Sequence, residues 1–249
     1  MNSPIASTTL RRQTTLSYDG NGNLTNADDG HYAYVYDDEN RLVQWNYYQT
    51  GTPGSDGDLA TAFDYDGMGR LRQRIEYVYS VGLGDWVPTS QVHYVYDGRR
   101  VIEERDGDNT PLVSYTRGND LSGTLEGAGG IGGLLARSDG YSGGNWSTHN
   151  YYHADGNGNI TYLVDSSQAL AASYRYDPFG NTISQGGSLA SANVYRFSLC
   201  KTQQLYPPGR GRIIRRLFEC CESELAGHAL ETMETVERCP LSSGMRAGV

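Results

Sequence analysis

The sequence predicts an all-β protein built as an extended antiparallel sheet of β-hairpins. The composition is rich in tyrosine and glycine, with 20 Tyr and 32 Gly among 249 residues, and one Tyr-Asp phrase recurs along the chain. Tyrosine favours strands, and glycine favours the tight turns between them. The alternative is a compact β-sandwich, but a hydrophobic fraction of 37% with 4 Phe is low for its closed middle.

Each predicted hairpin is marked by Tyr-Asp, a glycine-rich turn and then an aliphatic residue. The copies begin at Tyr18-Asp19, Tyr36-Asp37, Tyr65-Asp66, Tyr96-Asp97 and Tyr176-Asp177, and a degenerate copy begins at Ala154-Asp155. The preceding strand alternates, as in residues 32–36, so that one face is aromatic. The aspartate can cap the turn, and the glycine or asparagine after it tolerates a positive φ. Because tyrosine hydroxyls can stay in water, such a sheet can form a wall without a dry centre.

These residues closely resemble the YD repeats of bacterial RHS proteins, which are related to insecticidal toxin complexes and teneurins. Residues 150–198 are similar to the RHS-associated core, and the resemblance covers about residues 14–198. It implies a hollow β-shell of spiralling hairpins that encloses a C-terminal polypeptide, often a toxin, or that serves cell-surface contact. The residues assigned to the repeat motif are Tyr18, Asp19, Tyr36, Asp37, Tyr65, Asp66, Gly69, Arg70, Tyr96, Asp97, Asp155, Tyr176, Asp177, Pro178, Gly180, Tyr195, Arg196 and Phe197.

The composition changes sharply near Leu199. All but one Tyr and all 18 Asp precede it, whereas all 4 Cys follow it, and the net charge goes from -10 to +1. We therefore expect four parts: a disordered start at 1–13, YD-repeat hairpins at 14–149, a core-like segment at 150–198, and an unrelated tail at 199–249. The tail is expected to be irregular, weakly helical or disordered.

The tail lacks the segment at which many family members cut themselves, so we expect no self-cleavage. It is either a variable C-terminal effector or the out-of-frame product of a decayed gene, and we favour the second. The coding DNA decides between them: if neither shifted frame restores the Tyr-Tyr and Asp-Pro phrases of the family, the decay hypothesis fails. The chain holds only a handful of repeats and is too short to close a shell, which indicates a fragment of a wall.

Charge and reactive residues argue against an enzyme or a nucleic-acid binder. The net charge is -9, and no basic stripe with interleaved aromatics is present. Residues 127–132 satisfy G-x-G-x-x-G without a following helix, and the Asp19 and Asp155 turns copy part of a calcium loop without its later ligands. The tail cysteines match no zinc spacing, and His153 has no catalytic partner in the sequence. We expect no catalytic residues, no cofactor and no metal.

The predicted function is thus a non-catalytic structural section of an RHS shell. Its partners are further YD repeats and an enclosed polypeptide, with no nucleic acid and no membrane insertion. We expect no signal peptide and no apolar membrane span in this stretch of sequence, and the resemblance suggests a secreted or cell-surface parent. The alternative is a carbohydrate- or choline-binding module that uses Trp45, Trp86 and Trp146, although these do not recur at a fixed place in the repeat. Open sheet edges predict that the isolated chain aggregates.

Overall fold

A computed structural model describes residues 15–27 and 30–197, and these form fourteen β-strands and no α-helix. The predictions for the start at 1–13 and the tail at 199–249 lie outside the described residues. The strands are β1 (Ser17–Tyr18), β2 (Leu24–Ala27), β3 (Tyr32–Tyr36), β4 (Leu42–Tyr47), β5 (Leu59–Tyr65), β6 (Leu71–Ser80), β7 (Asp85–Asp97), β8 (Arg100–Arg105), β9 (Pro111–Arg117), β10 (Leu134–Ser142), β11 (Asn145–Ala154), β12 (Ile160–Asp165), β13 (Leu170–Tyr176) and β14 (Thr182–Gly186).

All fourteen strands belong to one sheet whose spatial order is the sequence order, with no crossover. Every neighbouring pair is antiparallel, as the register of each hairpin records. The all-β prediction of an extended antiparallel sheet is therefore confirmed. In such a meander the connections from odd to even strands lie along one edge of the sheet, and those from even to odd strands lie along the opposite edge.

The recurring Tyr-Asp phrases all fall at odd-to-even connections. We call this edge the Tyr-Asp rim; it carries the turns that begin at Asp19, Asp37, Asp66, Asp97, Asp155 and Asp177. The long connection between β9 and β10 lies on the same rim. Neighbouring connections on this rim, including the one between β9 and β10, are thus separated by two strands, or roughly 10 Å across the sheet. The rim brings together residues that are far apart in sequence.

One face of the sheet, which we call the inner face, holds a continuous apolar cluster. Cross-strand partners place Tyr34 beside Trp45 and Tyr152 beside Leu163, and all four are buried. The buried cluster also includes Phe63, Tyr94, Tyr115 and Tyr174. Residues of opposite parity face outward, so Val35 and Tyr162 are 47% and 51% exposed. A period of two thus produces a one-sided wall.

Residues 187–197, which we call the strap, follow the last strand and run back over the inner face. The strap begins beside β13, where the Leu189 N–H donates to the Ala171 carbonyl at 2.9 Å. It passes the β9–β11 region, where the Tyr195 ring meets the Tyr115 ring at 5.0 Å. Near its end the Arg196 carbonyl accepts a bond from Ile160 of β12 at 2.9 Å. The strap therefore joins strands that do not pair with one another.

The edge strand β14 is the basis of a first prediction. Within the described residues it pairs with β13 alone, and Ile183 within it is 62% exposed. An unpaired strand edge recruits other edges, and a lysine placed there opposes this by its charge. Ile183→Lys should raise the monomer fraction of the purified chain, measured by sedimentation velocity. Tyr162→Lys is the matched control on the outer face and should leave self-association unchanged; equal effects of both variants would contradict edge pairing.

Candidate functional site

The Asp66 turn shows how the repeat reverses the chain. The Asp66 N–H donates to the Arg70 carbonyl at 2.9 Å, and the Gly69 N–H donates to the Asp66 carbonyl at 2.9 Å. The Asp66 Oδ1 accepts the N–H groups of Met68 and Arg70 at 2.9 and 3.0 Å. Its Oδ2 accepts Nε of Arg70 at 2.8 Å. Gly69 has a φ of 76°, a conformation that glycine adopts without strain. One carboxylate thus binds three donors of its own turn.

Six further turns in the described part of the chain have the same arrangement of main-chain and carboxylate bonds. They begin at Asp19, Asp37, Asp106, Asp155, Asp165 and Asp177. The fourth residue of each has a positive φ, including Asn109 and Gln168 among the non-glycines. The Asp106 and Asp165 turns were not predicted from the sequence. An aspartate three residues before asparagine would have indicated the first, but Gln168 gives no such signal.

The Asp97 turn differs from the other copies of the phrase. Asp97 pairs directly with Arg100, so only Gly98 and Arg99 form the loop, and Gly98 has a φ of 62°. Arg100 Nη2 lies 2.6 Å from Asp97 Oδ2. This turn is the tight two-residue reversal of a β-hairpin, whereas the others contain three residues between the paired ends. The Tyr-Asp phrase alone therefore does not fix the loop length.

The calcium-like pattern of the first turn is explained by turn chemistry. Asp19 Oδ1 accepts the N–H groups of Asn21 and Asn23 at 2.9 and 2.8 Å, and Oδ2 accepts Nδ2 of Asn23 at 2.9 Å. The side-chain bond from Asn23, followed by the main-chain bonds, lowers the pKa of Asp19 below its ordinary value. The oxygens that a metal would need are thus already bonded to nitrogen donors. Asp155 has the same set of bonds from Asn157 and Asn159.

Successive turns along the Tyr-Asp rim are joined by arginine and tyrosine. The Arg41 guanidinium lies over the Tyr65 ring at 5.0 Å, and the Tyr65 hydroxyl donates to the Leu42 carbonyl at 2.9 Å. The same contacts recur one hairpin later, where Arg70 covers Tyr96 at 5.0 Å and Tyr96 donates to Leu71 at 2.9 Å. Each turn thus supplies a cation and a carbonyl to the tyrosine of the next turn. We call this set of contacts the Arg-Tyr ladder.

The sequence suggested that the tyrosine hydroxyls can stay in water, but three tyrosines of the repeat use theirs within the sheet. The hydroxyls of Tyr65, Tyr96 and Tyr176 instead donate to main-chain carbonyls. Burial raises the pKa of Tyr65 well above its ordinary value. Tyr36, which follows a turn that ends in Asn23, has a buried hydroxyl with no hydrogen-bond partner among the described residues. Tyr18 of the first repeat is 58% exposed.

The strap is anchored by a buried polar network around Asn193, which sequence reasoning did not identify. Its Oδ1 accepts the Tyr152 hydroxyl at 2.9 Å, and its Nδ2 donates to the Tyr195 carbonyl at 2.6 Å. The Tyr174 hydroxyl lies 3.3 Å from the same Nδ2 and donates to the Ala190 carbonyl at 2.9 Å. Asn193 is 1% exposed. Its four potential bonds are therefore largely satisfied inside the protein, which is required of a buried amide.

Two arginine guanidinium groups lie over tyrosine rings and help to hold the strap. Arg196 lies 5.0 Å from the Tyr174 ring and donates Nη2 to the Ala190 carbonyl at 2.8 Å. Arg117 of β9 lies 4.9 Å from the Tyr195 ring. The predicted residues Tyr195, Arg196 and Phe197 therefore lie together in the strap rather than in a turn. Cation–π contacts of this kind strengthen where water is excluded.

The glycine-rich loop between β9 and β10 binds a carboxylate of its own chain. Oδ2 of Asp120 accepts the N–H groups of Ala128 and Gly130 at 2.6 and 3.0 Å. In a phosphate-binding loop such amides would face the ligand, and a helix would follow the loop. Here the strand β10 follows, so the G-x-G-x-x-G match forms an anion nest that Asp120 fills. Glu126 in the same loop accepts Nε of Arg100 at 3.0 Å and so joins the loop to the neighbouring Asp97 turn.

One serine–histidine contact was not expected from the sequence. Ser138 Oγ lies 2.9 Å from Nδ1 of His149, across the β10–β11 pair. Within residues 15–27 and 30–197 no hydrogen bond or ion pair connects His149 to a carboxylate, and His149 is exposed. A hydrolytic serine requires a base that a third group orients. The pair has the geometry of a cross-strand hydrogen bond without that third group.

The three tryptophans do not form a common surface. Trp45 is 1% exposed within the inner-face cluster. Trp86 packs against Tyr79 at 5.3 Å, and Trp146 against Tyr141 at 5.0 Å, each across a hairpin near its end. Both of these tryptophans are half-buried. The cross-strand pairs stabilise the two longest hairpins, where neighbouring strands end earlier.

Comparison with known proteins gives sequence relatives and a fold. No family model matches the chain. The "tRNA3(Ser)-specific nuclease WapA" of Bacillus spizizenii is 29% identical over 187 residues, which is 74% of this chain and 6% of that protein. The "tRNA nuclease WapA" of Bacillus subtilis matches with the same identity and coverage. The chain therefore spans a small fraction of these relatives.

A solved structure supports the architecture. The crystal structure of TcdB2-TccC3-Cdc42 matches with a TM-score of 0.52 at 15% identity, over 75% of this chain and 8% of that chain. At this identity the likeness concerns the fold alone. The sheet of successive hairpins described above is thus also found within a much longer chain.

Asp120 gives a prediction about acid. Burial by itself raises the pKa of this carboxyl, but hydrogen bonds from Ser122, Gly130 and Ala128 favour the charged form and lower the pKa to about 2, from an ordinary 3.8. Because the folded-state pKa is lowered, the stabilisation is present above about pH 4 and is lost as the pH falls towards 2. Asp120→Asn removes one acceptor oxygen and the titration. Its urea midpoint should lie below that of the wild type at pH 7, and the difference should shrink towards pH 2.

Asp108→Asn is the matched control, since Asp108 is an exposed turn residue whose side chain makes no hydrogen bond among the described residues. Its urea midpoint should follow the wild type at every pH. A constant difference between Asp120→Asn and the wild type from pH 7 to pH 2 would contradict the role of the Asp120 charge.

Proposed function

We propose that this chain, which is an RHS/YD-repeat protein, forms a non-catalytic section of a β-shell wall that encloses another polypeptide. The observation that carries the proposal is the single sheet of fourteen strands in sequence order, with one tyrosine-lined face and its repeat turns along one rim. A second layer of sheet or helix, which a compact domain would use, is not found in residues 15–27 and 30–197. Such a sheet grows by adding hairpins at its edges.

The contacts between repeats support a structural role. Arg41 and Arg70 reach the next hairpin along the rim, and the tyrosines they cover bond back to the preceding hairpin. These contacts run in one direction and can be repeated without limit. A wall needs this property, because each new hairpin must be held by the one before it.

The reactive side chains are engaged in structure, which supports the non-catalytic part of the proposal. Seven turn aspartates of the described residues accept N–H groups of their own turns, and Arg117 and Arg196 lie over tyrosine rings. No group of three His, Cys, Asp or Glu residues that could hold a metal ion occurs in the described ranges. The nuclease activity named for the relatives is proposed to lie outside the matched 6% of their length.

The partners we propose are further YD repeats and the enclosed polypeptide. Among the strands that the structure describes, β1 and β14 each pair on one side only, so further hairpins can continue the sheet there. We also propose a secreted or cell-surface location. The part of the chain that the structure describes contains no helix with the length and apolar character of a membrane span.

The division into hairpins at 14–149 and a core-like segment at 150–198 is part of the proposal, since the Asn193 network joins residues of the second segment.

A carbohydrate- or choline-binding module is the second candidate. Trp86 and Trp146 favour it to the extent that each lies near the end of a long hairpin beside a tyrosine. Trp45 is buried and cannot contribute a platform. Specific retention of the chain on immobilised choline or on a glycan array would favour this candidate over the wall.

The test begins with the coding DNA that flanks this chain, because the wall requires further Tyr-Asp repeats upstream. The complete protein is then expressed and treated with trypsin. We expect its C-terminal polypeptide to resist cleavage in the wild type, and to be cut about tenfold faster or more in Asp66→Ala, because loss of the turn carboxylate opens the wall locally.

Gly67→Ala in the same turn is the control, since a side chain there meets nothing within 4 Å. Its protection should equal that of the wild type. Flanking DNA without Tyr-Asp repeats, or a polypeptide that is cut equally fast in all three proteins, would overturn the proposal.

A further inference from the structure

The same hydrogen bond from a tyrosine side chain to the main chain occurs at three places on the Tyr-Asp rim. In each, the tyrosine of a repeat donates its hydroxyl to the carbonyl of the aliphatic residue that follows the preceding turn. The tyrosine–aliphatic pairs are Tyr65–Leu42, Tyr96–Leu71 and Tyr176–Ile160, at 2.9, 2.9 and 2.7 Å. The last residue of the preceding turn therefore occupies an equivalent position in all three. It is Arg41, Arg70 and Asn159, respectively.

The third place has an asparagine where the first two have arginine. Arg41 and Arg70 cover the tyrosine ring at 5.0 Å in the first two places. Asn159 donates Nδ2 to Asp155 Oδ2 at 2.9 Å, the acceptor that takes Nε of arginine in the other turns. Its shorter side chain ends at this bond and cannot extend over the Tyr176 ring. The Asp155 turn thus keeps its hydrogen bonds, but its last residue has no cationic side chain to place over the next tyrosine.

At the end of the strap Phe197 contacts the Tyr176 ring, which also stacks with Tyr174 at 6.2 Å. The Phe197 and Tyr176 rings lie 5.6 Å apart in an edge-to-face arrangement, which is a favourable geometry for aromatic pairs. The neighbouring turn has room for the ring because residue 180 is glycine. A Cβ atom at Gly180 would lie 2.6 Å from the Phe197 ring, which is too close. The adjacent residue Arg196 bonds through its carbonyl to the Ile160 N–H at 2.9 Å. The strap is therefore seated between the last two turns of the rim.

We infer that Phe197 replaces the ladder arginine over Tyr176, and that Asn159 specifies this site as the docking position of the strap. The last residue of a turn then determines what lies over the next tyrosine. Arginine there joins hairpin to hairpin, whereas asparagine leaves space for a residue of the strap. Phe197 and Asn159 are positioning residues of the wall in this account. The inference rests on the proposed function only in calling the sheet a wall, because the contacts of Phe197 and Asn159 are the same whether or not the sheet encloses a polypeptide.

The test is a cycle of four full-length chains: wild type, Phe197→Ala, Asn159→Arg and the double variant. Phe197→Ala should lower Tm by about 4–8 °C through the lost aromatic contact. Asn159→Arg can keep the bond to Asp155 through its Nε, but its guanidinium meets Phe197, so Tm should also fall. In the double variant the guanidinium can enter the space that the Phe197 ring leaves beside Tyr176. Its Tm should therefore exceed that of Phe197→Ala by about 2–4 °C.

Asn23→Arg is the matched control, because it makes the same change at the end of the Asp19 turn, away from Phe197. Its effect on Tm should be the same with and without Phe197→Ala, as expected for independent sites. A double variant no more stable than Phe197→Ala would overturn the inference. If Phe197→Ala does not fold, Phe197→Leu takes its place, and the same sign of rescue by Asn159→Arg is required.

The outcomes separate this inference from the proposed function. Rescue depends on what covers Tyr176, whereas trypsin resistance of an enclosed polypeptide depends on the closed wall. Failed rescue with intact protection overturns only the role of Phe197 and Asn159. Rescue without protection overturns only the enclosing wall.

Discussion

The carboxylate of the turn aspartate is the interaction on which the rest of the structure depends. A sheet of one layer has no second layer to cover its chain reversals, so each reversal must satisfy its own N–H groups. In seven turns of the described residues one aspartate accepts the N–H groups of the third and fifth residues, and a positive φ at the fourth residue closes the loop. The turn is thereby fixed in length, and the return strand begins in a defined register.

The fixed turns place the other contacts of the wall. Because the turns of the repeat follow one another along the same rim, the last residue of one turn meets the tyrosine before the next. That meeting produces the Arg-Tyr ladder at Tyr65 and Tyr96. At Tyr176 the same position receives Phe197 of the strap, which crosses the inner face and is held by Asn193. Sheet, rim and strap are thus consequences of one repeated reversal.

The sequence predicted the features that depend on local patterns. Alternation indicated the strands, and aspartate before glycine or asparagine indicated five of the seven turns, because both signals lie within a few residues. The strap contacts could not be predicted in this way, since Asn193 meets Tyr152 only after the chain has folded back. The ladder likewise requires the register between one hairpin and the next. The Asp165 turn was missed because Gln168 adopts a positive φ without being a residue typical of that conformation.

The most direct test of the central role of the carboxylate compares two adjacent aspartates. Asp37 Oδ1 accepts the N–H groups of Glu39 and Arg41 at 3.1 and 2.8 Å, whereas the Asp38 side chain is exposed and makes no hydrogen bond in the described residues. Asp37→Ala should lower the free energy of unfolding, measured by urea denaturation at pH 7, by about 1–3 kcal/mol. Asp38→Ala should change it by about 0.5 kcal/mol or less. Equal changes in the two variants would contradict the account.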